Sequence, residues 1–225
     1  MKIISVLLAD DHLVVREGLR HLLEAEGDIK VVGQAQTGRE AVQLAKKLSP
    51  AVIVMDIAMP LLNGLEAARQ ILKANPAAKI IILSAHSDDE YVKQVVSLGA
   101  AGYLIKQTSA EVLARAIREV EKGKPFFSPS ISKRLHELHR MVVDRTGILK
   151  KKNVHLSSRE IEVLQLIAEG SANKQMAEEL NISIKTVEKH RQHLMEKLSI
   201  HDTAGLTRYA ISAGIIESSV QITIK

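Results

Sequence analysis

The chain has 225 residues, 46% of them hydrophobic and 25% charged, a composition that supports one or two folded domains and excludes wholesale disorder. It contains no cysteine, which excludes disulfides and thiolate metal sites and leads us to expect a reducing, cytoplasmic location. No apolar run approaches the roughly 20 residues of a membrane helix, and no signal peptide is recognisable, so we expect no membrane partner. The net charge of +5 is concentrated in residues 126–225, which weakly favours an anionic partner such as nucleic acid.

Residues 1–125 alternate short apolar runs with segments of helical period. The runs are rich in Val, Ile and Leu without strict alternation, which is typical of strands buried on both faces. We predict strands over Ile3–Ala9, Lys30–Ala35, Ala51–Met55, Lys79–Ser84 and Gly102–Ile105. We predict helices over Leu13–Glu24, Gly38–Leu48, Gly64–Lys73, Asp89–Ser97 and Ser109–Lys122. The alternation predicts a doubly wound α/β fold with an open, five-stranded parallel sheet covered on both sides.

The pattern changes after Pro125. Residues 126–153 are interpreted as a linker with one helix, because Ile131, Leu135 and Leu138 recur at helical spacing. Residues 154–216 have a purely helical pattern and predict an all-α domain, followed by a tail at 217–225. The first helix of this all-α domain begins after an N-cap at Ser157 or Ser158 and ends at Gly170. The other three helices are predicted over Asn173–Leu180, Ile184–Leu198 and Thr203–Ala213.

Polar residues stand where the apolar strands of the first domain end. They are Asp10 and Asp11 after the first strand, Asp56 after the third, Ser84 at the end of the fourth and Lys106 after the fifth. A doubly wound sheet brings these strand ends to one edge. Three carboxylates there suit a hard divalent cation, while a lysine and a hydroxyl suit phosphoryl oxygens. One aspartate is then placed to act as a nucleophile and form an acyl phosphate.

At these residues the sequence resembles the receiver domain of bacterial response regulators, which has a flavodoxin-like fold. The resemblance covers about residues 3–122 and rests on Ala9–His12, Met55–Pro60 with Gly64, Ser84-Ala85 and Gly102–Lys106. It implies that Asp56 accepts a phosphoryl group from a sensor histidine kinase. It further implies that Asp10, Asp11 and Asp56 hold Mg²⁺, that Lys106 and Ser84 contact the phosphoryl group, and that the rotamer of Tyr103 reports the state.

The segment Ile184–Leu198 has one apolar and one polar side. At 100° per residue, the apolar side predicted to face the core consists of Val187, Leu194, Met195 and Leu198. The opposite side carries Lys185, Glu188, Lys189, Gln192 and Glu196, with Thr186 and His190 on one flank. Such a polar face, after a tight turn and a short helix, suits insertion into the major groove of DNA. An ordinary solvated surface is the alternative from this helix alone.

Residues 156–213 resemble the LuxR-type helix-turn-helix of the NarL/FixJ class of response regulators. The matching elements are Leu156–Glu160, Val163-Leu164, Gly170, Asn173-Lys174, Ala177, Leu180, Ile182-Ser183, Lys185–Val187, His190-Arg191, Met195 and Lys197-Leu198. The resemblance implies that Glu188, Lys189 and Gln192 face base edges. It implies phosphate contacts for Lys174, Lys185, Thr186 and His190. It also implies a homodimer on DNA through the fourth helix, with Ala204, Leu206, Tyr209 and Ala210, although the same residues suit packing on their own domain.

Two residues of the Ile184–Leu198 helix depart from the simplest pattern. Glu188 is expected either to accept a hydrogen bond from a cytosine amino group or, as we favour, to pair with Lys185 or Gln192. Arg191 falls within the apolar arc, where an unpaired charge is costly. We therefore predict an ion pair between Arg191 and Glu160 or another acid of the first helix of this domain.

These features together predict a phosphorylation-controlled transcriptional regulator that binds promoter DNA through residues 184–198 and is not an enzyme. Two other functions are compatible with parts of the sequence. A Mg²⁺-dependent phosphohydrolase would use the same carboxylates and lysine, but the sequence offers no separate acid or base for turnover. A pure interaction module would use the C-terminal helices to bind protein.

Overall fold

The computed structural model describes residues 2–85, 89–134 and 156–216, and of Asp89 and Glu90 the backbone alone. These residues form two compact units, an α/β unit followed by an all-α unit. Of the predicted linker helix, residues 129–134 are helical, whereas Leu135 and Leu138 lie outside the described residues, as does the predicted tail at 217–225. Across the described ranges, every helix is too short or too polar to cross a bilayer.

The first unit is built on a parallel sheet in which the strand order is β2-β1-β3-β4-β5-β6. Its strands are Ile4–Ala9 (β1), Ile29–Ala35 (β2), Val52–Asp56 (β3), Ile80–Ser84 (β4), Gly102–Ile105 (β5) and Phe126–Phe127 (β6). The doubly wound parallel fold is therefore confirmed, but the sheet has six strands rather than the predicted five. The additional strand, β6, pairs Phe126 with Gly102 and Phe127 with Tyr103, and two residues are too few to produce a periodic signal in the sequence.

Helices cover both faces of this sheet. In the described part of the unit they are Leu13–Ala25 (α1), Gly38–Leu48 (α2), Gly64–Ala74 (α3), Asp89–Leu98 (α4) and Ala110–Glu121 (α5). Leu23 of α1 and Ile117 of α5 are buried on one face, and Ile71 of α3 and Val92 of α4 are buried on the other. Because both faces are covered, strand residues of either orientation are apolar, which explains the lack of alternation in the sequence.

The strand order reverses direction at β1, since β2 lies on one side of it and β3 on the other. In open α/β sheets, this reversal opens a crevice beyond the carboxyl ends of the two central strands. Asp10 directly follows β1 and Asp56 is the last residue of β3. The topology thus places the two carboxylates on either side of the same crevice.

The second unit contains, in its described residues, the helices Ser158–Ala168 (α6), Asn173–Leu180 (α7), Ile184–Leu198 (α8) and Thr203–Ser212 (α9). Ser157 begins α6 with a capping box, since it accepts from the backbone N–H of Glu160 and its own N–H donates to the Glu160 carboxylate. Asn181 ends α7 in a left-handed conformation with φ of 50°, and Ser183 caps α8. This tight turn sets α7 against α8, while α6 contacts both α8 and α9.

Candidate functional site

A cluster of carboxylates lies at the C-terminal edge of the sheet. Potential ligand atoms of Asp10, Asp11, His12 and Asp56 all lie within 4.8 Å of one another. Asp10 and Asp56 are only 3% and 2% exposed, whereas the side chain of Asp11 is 31% exposed and that of His12 is 63% exposed. The acidic cluster, Asp10, Asp11 and Asp56, is therefore accessible from the side of Asp11 and His12, and Asp56 lies at its buried end.

Lys106 enters the acidic cluster from the end of β5. Its Nζ donates a hydrogen bond to Oδ2 of Asp56 at 2.8 Å and lies 2.9 Å from Oδ2 of Asp10. The backbone N–H of Lys106 donates to the carbonyl of Ser84 at 2.8 Å, which fixes the ends of β4 and β5 to each other. The structure thus brings together four of the predicted site residues, Asp10, Asp11, Asp56 and Lys106.

Ser84 and Tyr103 are buried in the sheet next to the acidic cluster. Ser84 is fully buried at the end of β4, directly after Leu83, which is the register partner of Asp56. Tyr103 is also fully buried and belongs to the core between the sheet and helices α2, α3 and α4. Their roles in contacting a phosphoryl group and in reporting its presence stay predictions.

The environment shifts the proton affinity of both partners in the central ion pair. Burial raises the pKa of Asp56 from 3.8 to about 6; Lys106 opposes this rise, and the charge of Asp10 adds to it. Burial acts to lower the pKa of Lys106, but the carboxylates of Asp56 and Asp10 outweigh it and raise that pKa. The site therefore holds Lys106 charged, while burial disfavours the ionised form of Asp56 in spite of the contact with Lys106.

The donor atoms of the acidic cluster fit a divalent cation. Oδ2 of Asp10 and Oδ1 of Asp11 are shielded from solvent. Apart from the contacts with Nζ of Lys106 at 2.9 Å and Nδ1 of His12 at 2.7 Å, neither oxygen accepts a hydrogen bond from any described residue. Carboxylate oxygens with unused lone pairs are the ligands that Mg²⁺ prefers in proteins. A divalent ion would also balance the negative charge that Lys106 leaves uncompensated.

We expect Asp56→Asn to stabilise the first unit at neutral pH when divalent cations are removed. When folding raises the pKa of a carboxyl group, its protonated form stabilises the fold at pH values below the pKa of the unfolded chain. This contribution is lost as the pH rises through the folded pKa, which is about 6 for Asp56. The neutral amide avoids this loss, which is at most about 3 kcal/mol for a shift of this size. Thermal unfolding at pH 7.5 in EDTA should show a higher Tm for the variant, and the difference should vanish near pH 4. A lower Tm at both pH values would contradict the expectation.

Arg16 is a buried residue of α1 that the sequence-based prediction did not include. It is 8% exposed, and its Nη1 donates to the backbone carbonyl of Asp10 at 2.5 Å. Arg16 and Leu23 are seven residues apart and so share one helical face, which is the signal that could have indicated its burial. The contact ties α1 to the turn that presents Asp10 and Asp11.

The exposed side of α8 carries the predicted nucleic-acid contacts of the second unit. Lys185, Glu188, Lys189 and Gln192 are exposed on α8, Thr186 and His190 are half-buried, and Lys174 is exposed on α7. On the opposite side, Val187 and Leu194 are fully buried, whereas Met195 and Leu198 are half-buried. Partial burial and the charge of Arg159 both lower the pKa of His190, which favours its neutral form.

Two predicted pairings on α8 are wrong. Arg191 forms no ion pair with α6 in the described residues, because Glu160 binds Lys197 at 2.8 Å and Glu162 binds Arg159 at 2.8 Å. Arg191 is instead half-buried and lines a surface pocket of about 410 Å³.

The favoured pairing of Glu188 is the second of these errors. Gln192 donates to Glu196 at 2.9 Å, and no ion pair joins Glu188 to Lys185 in the part of the chain that the structure describes. The carboxylate of Glu188 is thus exposed next to Lys189 on the polar side of α8. A contact with a cytosine amino group stays a prediction for this residue.

A parallel α/β unit with an acidic cluster and a lysine at its sheet edge, followed by a helix-turn-helix unit, defines a class of two-domain regulators. Residues 6–118 match the family model of the response regulator receiver domain. Residues 154–210 match the model of bacterial regulatory proteins of the luxR family. The chain belongs to the response regulators of the NarL/FixJ class, which combine these two domains.

Known relatives extend over nearly the whole chain. The transcriptional regulatory protein LiaR of Bacillus subtilis (strain 168) is 42% identical over 207 residues, 92% of this chain and 96% of LiaR. The transcriptional regulatory protein DegU of Brevibacillus brevis is 34% identical over 225 residues, 95% of each chain. The solved complex of the two-component response regulator RcsB with DNA has 29% identity and a TM-score of 0.57, and covers 94% of this chain and 99% of that one. The predicted class, a transcriptional regulator and not an enzyme, is confirmed.

Proposed function

We propose that this chain accepts a phosphoryl group on Asp56 from a sensor histidine kinase and then binds promoter DNA as a homodimer through α8. The observation that carries the proposal is the placement of Asp56 between Lys106 and the solvent-accessible Asp11 in one acidic cluster. Because the partner is chromosomal DNA, we place the protein in the cytoplasm.

Each residue of the acidic cluster has a distinct task in this chemistry. Asp10, Asp11 and Asp56 would hold Mg²⁺, which would supply positive charge to offset that of the transferring group. A carboxylate oxygen of Asp56 attacks the phosphorus of the phosphohistidine, so that an O–P bond forms, the N–P bond breaks and the imidazole leaves. Lys106, which contacts Asp56 at 2.8 Å, exchanges that contact for a phosphoryl oxygen.

Ser84 and Tyr103 would carry the signal away from Asp56. The new phosphate adds negative charge and strong acceptor oxygens beside the end of β4. The hydroxyl of Ser84 donates to one of these oxygens, and Tyr103, two strands from Asp56 in the same core, adjusts to the space that Ser84 leaves. The core is close-packed, so a small displacement at Ser84 selects between discrete arrangements of its neighbours.

The second unit reads DNA with the polar side of α8. Glu188, Lys189 and Gln192 face base edges, while the phosphate contacts come from Lys174, Lys185, Thr186 and His190. The DNA complex of RcsB supports this role, as does a structure of two RcsB dimers bound to two parallel DNAs, whose chain has 29% identity to this one.

Two alanine variants test the DNA-binding side of the proposal. Lys185→Ala should weaken binding to all sequences and reduce the slope of log K against log salt by about one, because one phosphate contact is lost. Lys189→Ala should cost about 1–3 kcal/mol on the preferred site and relax its sequence specificity, because a base contact is lost. Gel shifts of the phosphorylated chain on a selected operator, at several salt concentrations, measure both effects.

Lys197→Ala is the matched control for these variants. It removes the same positive charge from the same helix, but Nζ of Lys197 already pairs with the Glu160 carboxylate at 2.8 Å. Its salt slope should equal that of the wild type. If all three variants bind DNA as the wild type does, the polar side of α8 is not the DNA-reading surface.

A further inference from the structure

His12 holds an unusual position at the entrance of the acidic cluster. Its Nδ1 lies 2.7 Å from Oδ1 of Asp11 and 3.5 Å from Oδ1 of Asp10. The His12 side chain is 63% exposed, so core packing does not hold it there. The imidazole therefore lies against the carboxylates by its own electrostatic and hydrogen-bonding preferences.

The N-cap position of His12 does not account for this orientation. His12 is the N-cap of α1, yet its side chain makes no capping hydrogen bond. Its backbone N–H donates to Oδ1 of Asp10 at 2.9 Å, which fixes the main chain beside the acidic cluster. The side chain is thus free of any capping task and turns its ring nitrogen toward the shielded oxygen of Asp11, which accepts no hydrogen bond from any other described residue.

The spacing of the four side chains suits one shared cation. Ligand atoms about 2.1 Å from a common ion lie up to about 4.2 Å apart. The ligand atoms of Asp10, Asp11, His12 and Asp56 span at most 4.8 Å, and two of these side chains are exposed enough to rotate. Small rotations of Asp11 and His12 would therefore bring all four to one ion.

We propose that His12 is a direct nitrogen ligand of the cation site, which makes this site favour borderline metals such as Co²⁺ and Zn²⁺ over Mg²⁺ more strongly than carboxylates alone would. The proposal rests on the cation site of the proposed function. Imidazole suits borderline divalent metals, whereas Mg²⁺ prefers oxygen ligands and retained water. His12 consequently sets which divalent ion occupies the acidic cluster.

Calorimetric titration of the full chain with Co²⁺ and with Mg²⁺ tests this assignment. His12→Ala should raise the Kd for Co²⁺ by about tenfold or more and change the Kd for Mg²⁺ by less than about twofold. The visible spectrum of bound Co²⁺ should change at the same time, because a nitrogen ligand is replaced by water. His21→Ala, which removes another exposed histidine of α1, should behave as the wild type.

The outcomes separate the two proposals. An equal loss of affinity for both metals would mean that His12 only positions Asp11. An unchanged Co²⁺ affinity would mean that His12 is not a ligand. Either result overturns this inference and leaves the cation site of the proposed function intact. A wild-type chain that binds neither ion at Asp10, Asp11 and Asp56 would instead overturn the cation site of the proposed function, and this inference with it. Thermal unfolding without metal confirms that the His12→Ala chain is folded.

Discussion

Labelling of the chain by acetyl phosphate is expected to vanish in the Asp56→Asn variant. Under the proposed function, a carboxylate oxygen of Asp56 in the wild type attacks phosphorus, an O–P bond forms and acetate leaves. The amide has no anionic oxygen for this attack, whereas it keeps the shape of the buried side chain. Intact-mass spectrometry after incubation with acetyl phosphate and Mg²⁺ should show the phosphorylated species in the wild type and none in the variant.

Neighbouring carboxylates provide graded controls for that experiment. Asp10→Asn and Asp11→Asn keep the proposed nucleophile and should slow labelling without abolishing it, because they weaken the hold on the divalent cation. Asp28→Asn removes a carboxylate that pairs with Arg118 at 2.7 Å, outside the acidic cluster, and should label at the wild-type rate. Persistent labelling of Asp56→Asn would move the acceptor to another residue, which the position of the modified peptide would identify.

The fold and the main site residues could be predicted because strong physical constraints act on short stretches of sequence. Strands covered on both faces must be apolar throughout, so β1, β3 and β4 are visible as continuous apolar runs. Burying a polar residue at the end of such a run costs free energy unless the residue has a partner. Asp10 and Asp56 were therefore recognisable as candidate site residues. Sheet topology then requires these two residues to meet, whatever the intervening loops do.

The parts that could not be predicted depend on contacts between distant or irregular segments. Phe126–Phe127 becomes a strand only because the edge of β5 is open to it. Glu160 pairs with Lys197 rather than with Arg191, a choice between two cations on α8 that helical angles do not resolve. His12 follows two aspartates in the sequence, but that it turns toward Asp11 depends on side-chain rotamers.

Gly64→Ala is expected to destabilise the first unit by about 3 kcal/mol or more, a fall in Tm of about 10 °C. A Cβ on residue 64 would lie 1.8 Å from the backbone oxygen of Asp56 and 3.0 Å from Cγ of Met55. The first distance is far shorter than a van der Waals contact, and a backbone oxygen cannot move aside as a flexible side chain can. The backbone N–H of Gly64 also donates to the carbonyl of Ile57 at 2.9 Å, so the start of α3 cannot withdraw without losing this bond. Thermal unfolding followed by circular dichroism measures the loss.

Gly18→Ala is the matched control, because its Cβ meets nothing within 4 Å in the middle of α1. Alanine there should stabilise the helix by up to about 1 kcal/mol. If Gly64→Ala also slows acetyl phosphate labelling at a temperature where the variant is folded, the added methyl group displaces the end of β3, which carries Met55 and Asp56. Wild-type stability of Gly64→Ala would instead show that β3 and α3 can separate there. The main chain of Asp56, the proposed nucleophile, is thus positioned by a residue that contributes no side chain, since only glycine lets α3 begin against the carbonyl of Asp56.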